Sequence, residues 1–300
     1  MTKRFERIEQ TENGELYQIY TSMELLPFLY DAYANRSRNS VKSMLQRRQV
    51  YINDQATTQF NEKLNVNDRV FIMNNRAAQG RSELIGLDIL YEDDHLIAIN
   101  KAAGLLSIST GKDDELTAFS QLMDYVHKKR RSNRIFIVHR LDRDTSGVML
   151  FAKDAKMQNN LRNNWHEYVK VRQYLALVEG KITKKSGTIT SYLKEGSNYQ
   201  MYSVSKNEGG KRAVTHYKVK KADNRYSLVE VSLETGRKNQ IRVHMKDIGH
   251  PVVGDRKYGA TKNPLKRLGL HADTLGFIHP LTNKFIKITA PPPQKMLRII

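Results

Sequence analysis

Apolar residues along this chain recur in two rhythms, and the change between them divides it. Residues 1–20 are polar and mixed in charge, and read as a short tail or edge segment. From Met23 to Ala34 the positions Leu25, Leu26, Leu29, Tyr30 and Tyr33 follow the helical period. Val41, Met44 and Leu45 continue it in a second, basic helix, for which Asn39 or Ser40 is the expected N-cap. Val50–Gln55 and Val66–Ile72 then read as strands with turns. A polar, small-residue stretch over 76–86 reads as a linker between a first domain at 1–75 and a second at 87–300.

Beyond the linker the period of two dominates. Leu87–Tyr91 and His95–Ile99 form a strand pair, Leu116 to Val126 is helical, and Arg134–Val138 and Val148–Ala152 are apolar strands. Met157, Leu161 and Trp165 fall on one helical face, with Asp154 placed to cap it. Further strands are expected at Tyr174–Val178, Thr188–Thr190, Ala213–Val219 and Tyr226–Leu233, and a helix at Asn239–Ile248. Many strands with few interleaved helices predict an α+β catalytic domain with a mixed, mostly antiparallel sheet, preceded by a small α+β domain.

Charge narrows the partners. Fifty Lys plus Arg against 31 Asp plus Glu give a formal charge of +19, a field that attracts polyanions such as nucleic acid. The cations cluster: Arg36, Arg38, Lys42, Arg47 and Arg48 occur with no acid among them, and a similar run spans Lys128 to Arg134. No run of 18 apolar residues is present, so no membrane partner is expected. The first residues lack an apolar signal core, and there is no cysteine; both fit the cytoplasm. No phosphate loop, dinucleotide fingerprint or metal-ligand spacing occurs, so no cofactor and no metal are expected.

Between the strands at 134–138 and 148–152 lies the densest chemistry: His139-Arg140-Leu141-Asp142-Arg143-Asp144-Thr145-Ser146-Gly147. A loop held by two core strands is a rigid place for reactive groups, and Gly147 offers a backbone angle other residues avoid. Asp142, flanked by Arg140 and Arg143, should stay ionised, which suits a nucleophile or base better than an acid. His139, Asp142 and Ser146 contain the ingredients of a hydrolase triad, but three members within eight residues cannot readily let the base bridge the other two. The structural alternative is an aspartate that pairs with an arginine to close the loop.

The order helix, basic helix, strand, turn, strand, with Ser37-Arg38, Val50-Tyr51-Ile52-Asn53 and Asn67-Asp68-Arg69-Val70, resembles the S-four-like RNA-binding domain. The second domain resembles the RluA-type pseudouridine synthases of ribosomal large-subunit modification. Residues 139–147 reproduce the family's central motif, and Asp94–Leu105, Lys170–Gly180 and Thr235–His244 are similar to its other motifs. Gly254-Asp255, Tyr258-Gly259, Leu270-His271-Ala272 and His279-Pro280 complete the pattern. Two positions depart from it: Ala102 stands where proline is usual, and Asn239 stands where histidine is usual.

The resemblance implies an isomerase that detaches uracil from ribose at its ring nitrogen, turns it, and rejoins it through carbon-5, a reaction that needs no cofactor. It implies Asp142 as the essential carboxylate, acting on ribose or on the ring, with Tyr174 against the uracil and Arg242 as ion partner of Asp142. Arg140 would fill the stack vacated by the extruded base, Ile241 would pack on that base, and the N-terminal cations would contact RNA. Ribosomal RNA is the favoured target, with transfer RNA the alternative, and a monomer is expected. A catalytically inactive RNA-binding assembly factor and a metal-dependent nuclease using Asp142 and Asp144 are the competing classes. Release of tritium from carbon-5-labelled uridine separates the first, and activity in excess chelator the second.

Overall fold

A computed structural model describes residues 3–46, 49–57, 59–74, 84–109 and 116–300. The chain forms two compact units, Met1–Ile85 with Ile108–Ser132, and Gly86–Ser107 with Asn133–Ile300. The boundary at 85/86 falls at the end of the expected linker, whose residues 76–83 lie outside the described residues. The helix Ala118–Lys129, read from sequence as part of the second domain, groups with the first unit. There the Gln121 side chain donates to Ile85 O (2.9 Å) and accepts from Ile85 N–H (2.6 Å).

The first unit contains an antiparallel sheet ordered Phe5–Thr11, Gly14–Ile19, Arg69–Met73, Val50–Ile52, Gln55–Thr57. Helices Leu25–Ala32 and Arg38–Gln46 supply Leu25, Phe28, Leu29, Val41 and Met44 to its core, against Tyr17, Ile19 and Val70. Residues 5–19 form a hairpin whose first strand is the sheet edge, so of the two expectations, tail or edge segment, the second holds; Tyr17 and Ile19 alternate onto the buried face. The N-cap expectation is corrected. The second helix starts at Arg38, and its first turn is capped by Ser37, whose hydroxyl accepts from Ser40 N–H at 3.2 Å.

The second unit is built on an eleven-stranded sheet. Its main path runs Met201–Val204, Ser186–Glu195, Lys211–Ala222, Tyr226–Leu233, Val169–Glu179, Leu270–Ile278, Ser146–Ala152, Leu96–Lys101, Leu87–Glu92. Phe136–Ile137 pairs with Ser146–Ala152, and Phe285–Thr289 with Leu270–Ile278. The pairing is antiparallel except between Ser146–Ala152 and Leu270–Ile278, which run parallel. The α+β expectation therefore holds, with a mixed sheet. Ser146–Ala152 is buried at every position, as a strand covered on both faces must be.

Several expected elements differ in extent. Only Phe136 and Ile137 of the expected strand at 134–138 enter the sheet. The face through Met157, Leu161 and Trp165 is broken: one helix ends at Asn163 and a separate turn begins at Trp165. Asp154 caps the first of these, accepting from Met157 N–H at 2.8 Å. The late helix spans Gln240–Asp247, and Asn239 stands just outside it in a left-handed conformation (φ 53°).

Gly147 is required where it stands. Its φ is +114°, and an added Cβ would lie 2.1 Å from Ala272 O on the neighbouring strand. Gly147→Ala combines backbone strain with a collision that only sheet distortion relieves, so it should cost about 3 kcal/mol of stability. Urea denaturation measures this, and a loss under about 1 kcal/mol would contradict the close packing.

Candidate active site

The backbone around Asp142 is held from both sides by the segment that follows the strand Leu96–Lys101. On one side, Ser107 Oγ donates to Leu141 O (2.7 Å), and Leu141 N–H donates back to Ser107 Oγ (3.3 Å). On the other, Arg143 O accepts from Gly104 N–H and from Lys101 Nζ, both at 2.9 Å. Lys101 is fully buried, and its Nζ also donates to Ala102 O (3.0 Å) and Leu105 O (2.7 Å). Burial pushes this amine down to about 7, against the pull of the Asp144 and Asp142 charges. Three carbonyl acceptors match the three protons of the ammonium form.

The carboxylate that this backbone presents is gripped by one oxygen. Asp142 Oδ2 accepts from Asn239 Nδ2 (2.5 Å) and from an Arg242 terminal nitrogen (3.2 Å). Arg242 turns the rest of its fork to Asp255, with Nε to Oδ2 at 2.6 Å and the other terminal nitrogen to Oδ1 at 2.8 Å. Its guanidinium lies over the Tyr258 ring, 4.9 Å from the centroid. Burial opposes the charge on Arg242, but hydrogen bonds and charges from Asp255 and Asp142 more than offset it, and its pKa is raised. The Asp255 side chain is 1% exposed, that of Asp142 31%. One carboxylate is thus structural and the other opens to solvent.

An open cleft lies over Asp142, lined among others by Arg140, Tyr174, Leu233, Arg237, Ile241 and Leu270. Ile241 is buried in its wall, and Arg140 is exposed at its edge. A register shift between Gln173 and Tyr174, where their strand pairs with Leu270–Ile278, re-aims Tyr174. Burial raises the Tyr174 phenol to about 12; the charge of Arg172 opposes the rise and that of Asp142 adds to it. The ring therefore stays protonated at working pH, able to donate a hydrogen bond or stack but not to act as a ready base.

The triad ingredients do not meet. His139 accepts from Leu150 N–H at 2.9 Å and faces Trp165 at 5.0 Å between centroids. Burial holds its imidazole down to about 4, hence neutral. Ser146 instead pairs with His271 (2.8 Å) and Arg267 (2.7 Å). The flanking arginines are not the partners of Asp142 either: Arg143 pairs with Asp144, the residue on its other side. The cation beside Asp142 is Arg242, one hundred residues away.

Asp142, Tyr174, Arg242, Arg140 and Ile241 are brought to one cleft. In the first unit, Arg36 and Arg38 lie over the rings of Tyr33 (4.9 Å) and Tyr30 (5.6 Å), and Lys42 is exposed. Arg47 and Arg48 lie outside the described residues. Sequence reasoning assigned no role to Lys101, Ser107, Asp255 or Tyr258. For Lys101, Asp255 and Tyr258 the signal was membership of short motifs, with nothing to say which partner each would meet; Ser107 lies outside them.

This fold and this cleft define a class of RNA-modifying enzyme. The family described as RNA pseudouridylate synthase matches residues 95–247. An uncharacterized RNA pseudouridine synthase of Bacillus subtilis, YhcT, is 36% identical over 87% of each chain. Ribosomal large subunit pseudouridine synthase D of Xylella fastidiosa is 35% identical, covering 72% of this chain and 69% of its own. The tRNA pseudouridine synthase C of Haemophilus ducreyi is 40% identical over 68% and 90%. Among solved structures, human RNA pseudouridylate synthase domain containing 1 superposes with a TM-score of 0.56 at 26% identity, covering 71% of this chain and 86% of that one. The chain belongs to the RNA pseudouridylate synthase family, and it is an isomerase acting on uridine in RNA.

Arg242→Met should cost about 3–5 kcal/mol of stability, because it leaves the buried Asp255 carboxylate unpaired. Adding Asp255→Asn should recover most of that stability without recovering activity. Thermal melts of the single and double variants check this; a single variant as stable as the native protein would refute the buried pairing.

Proposed function

We propose that the protein converts uridine to pseudouridine in large-subunit ribosomal RNA, with Asp142 as the essential carboxylate. The observation that carries the reading is a partly exposed carboxylate, fixed by Arg242 and by its clamped backbone, in a cleft that Tyr174 and Ile241 also line. Extrusion costs a few kcal/mol; Arg140 at the cleft edge occupies the vacated stack, and Ile241 and Tyr174 receive the uracil faces. The enzyme leaves the RNA's composition unchanged and needs no cofactor or metal. Whether Asp142 acts on ribose or on the ring is the same for this geometry.

The ribosomal target rests on the basic N-terminal unit, which we read as an S-four-like RNA-binding domain over 1–75, and on relatives named for the large subunit. Transfer RNA is the second reading, favoured by the relative named for it. We place the enzyme in the cytoplasm as a monomer without membrane attachment; among the described residues no helix is long and apolar enough to cross a bilayer.

Asp142→Asn keeps the shape of the side chain and removes its charge. It should abolish pseudouridine formation while RNA affinity stays within about twofold, a change under about 0.5 kcal/mol. Tritium release from carbon-5-labelled uridine is the assay, and turnover above a tenth of native, about 1.4 kcal/mol of barrier, would sink the assignment. Arg38→Ala and Lys42→Ala should leave kcat near native and raise KM. Each lost phosphate contact should flatten the slope of log affinity against log salt by roughly 0.7–0.9. Unchanged slopes on a ribosomal fragment would mean the first unit binds something other than RNA.

A further inference from the structure

We infer that Asn239 is a positioning residue that commits one oxygen of Asp142 and leaves the other, Oδ1, as the oxygen presented to the substrate. The inference rests on Asp142 being the reacting carboxylate.

Both donors that reach Asp142 converge on Oδ2: Asn239 Nδ2 at 2.5 Å and Arg242 at 3.2 Å. Oδ1 has no hydrogen-bond partner among the described residues. A carboxylate held through one oxygen by two donors from different directions cannot rotate about its terminal torsion without losing both, so its second oxygen has a fixed direction.

The amide is itself oriented. An ionised carboxylate only accepts, so the amide group facing Asp142 must be the NH2. Its other end, Oδ1 of Asn239, accepts from the Tyr258 hydroxyl at 3.1 Å. Tyr258 is fully buried, and its hydroxyl oxygen accepts from Met201 N–H at 3.1 Å, which leaves its one proton for Asn239. Met201 N–H, Tyr258, Asn239 and Asp142 thus form a chain in which every donor has a single direction.

Local backbone makes the reach feasible. Asn239 sits at φ 53° in the left-handed region, which asparagine tolerates better than most residues. It makes no side-chain cap to the helix that follows. The buried Gln240 side chain performs the local bonding instead, accepting from Arg237 N–H and Thr235 Oγ1 and donating to Val214 O and Thr215 Oγ1. Asn239 is thereby free to turn across to Asp142.

Asn239→Gly keeps the left-handed backbone without strain and deletes only the amide. It should lower kcat about 10–100-fold, the range expected when a reacting group loses its alignment, with KM changed less than about threefold and the melting temperature within a few degrees. Asn239→His supplies an N–H donor at the same place and should return kcat to within about tenfold of native, under about 1.4 kcal/mol. Tyr258→Phe keeps the ring over Arg242 but removes the donor that anchors the far end of the amide; it should lower kcat in the native background and add almost nothing to Asn239→Gly. Native kcat in Asn239→Gly, alongside an inactive Asp142→Asn, would overturn the positioning role and spare the catalytic one. A raised KM with unchanged kcat would overturn it too, since Asn239 would then be a contact to RNA. Active Asp142→Asn would instead remove the premise itself.

Discussion

A single guanidinium holds two carboxylates of opposite character, and the catalytic cleft is arranged around it. Arg242 closes a two-bond fork on Asp255, which is nearly inaccessible, and extends its remaining terminal nitrogen to Asp142, which is not. A buried ion pair of this kind contributes little net stability, yet losing either partner is costly because the survivor is left charged in a poor solvent. Its value here is geometric. Asp255 fixes the direction of the guanidinium, and the guanidinium fixes Asp142.

The second constraint acts on backbone rather than side chain. Lys101, Gly104 and Ser107 come from one short segment and bind the carbonyls and amide on either side of Asp142. The loop therefore enters the site already ordered and loses little freedom when RNA binds. Preorganisation of this sort matters for an enzyme whose substrate must first be pulled from a stack, since the cost of extrusion is already charged against binding. The strand Ser146–Ala152 completes the arrangement. It lies in the interior of the sheet, parallel to Leu270–Ile278 and closely apposed to it at Gly147.

Tyr174 and His139 show how burial sorts residues that look alike in a motif. Both lie beside Asp142 in sequence or space, and both could be proposed as proton carriers. Burial pushes the phenol up to about 12 and the imidazole down to about 4, so each stays uncharged at neutral pH. One lines the cleft as a neutral ring and donor; the other is an acceptor for the strand beneath it.

Sequence alone determined the α+β class, the strands on either side of residues 139–147, the need for a positive φ at Gly147, and the residues that gather in the cleft. Those features are local: periodicity, turn chemistry and motif spacing depend on neighbours along the chain. It left residues 1–20 open between a tail and an edge segment, since a half-polar hairpin shows its apolar face only once helices cover it. From local sequence it took Arg140 and Arg143 as the charges beside Asp142, and Arg242 entered only as what the family resemblance implied. Tertiary structure brings Arg242 to Asp142, as the resemblance implied; it alone decided that Lys101 and Ser107 clamp the loop, and that Asn239, noted only as an unusual residue, reaches Asp142 directly. These contacts join residues from 34 to 100 positions apart, and no short-range pattern encodes which side chains a sheet's register and a left-handed turn will bring together.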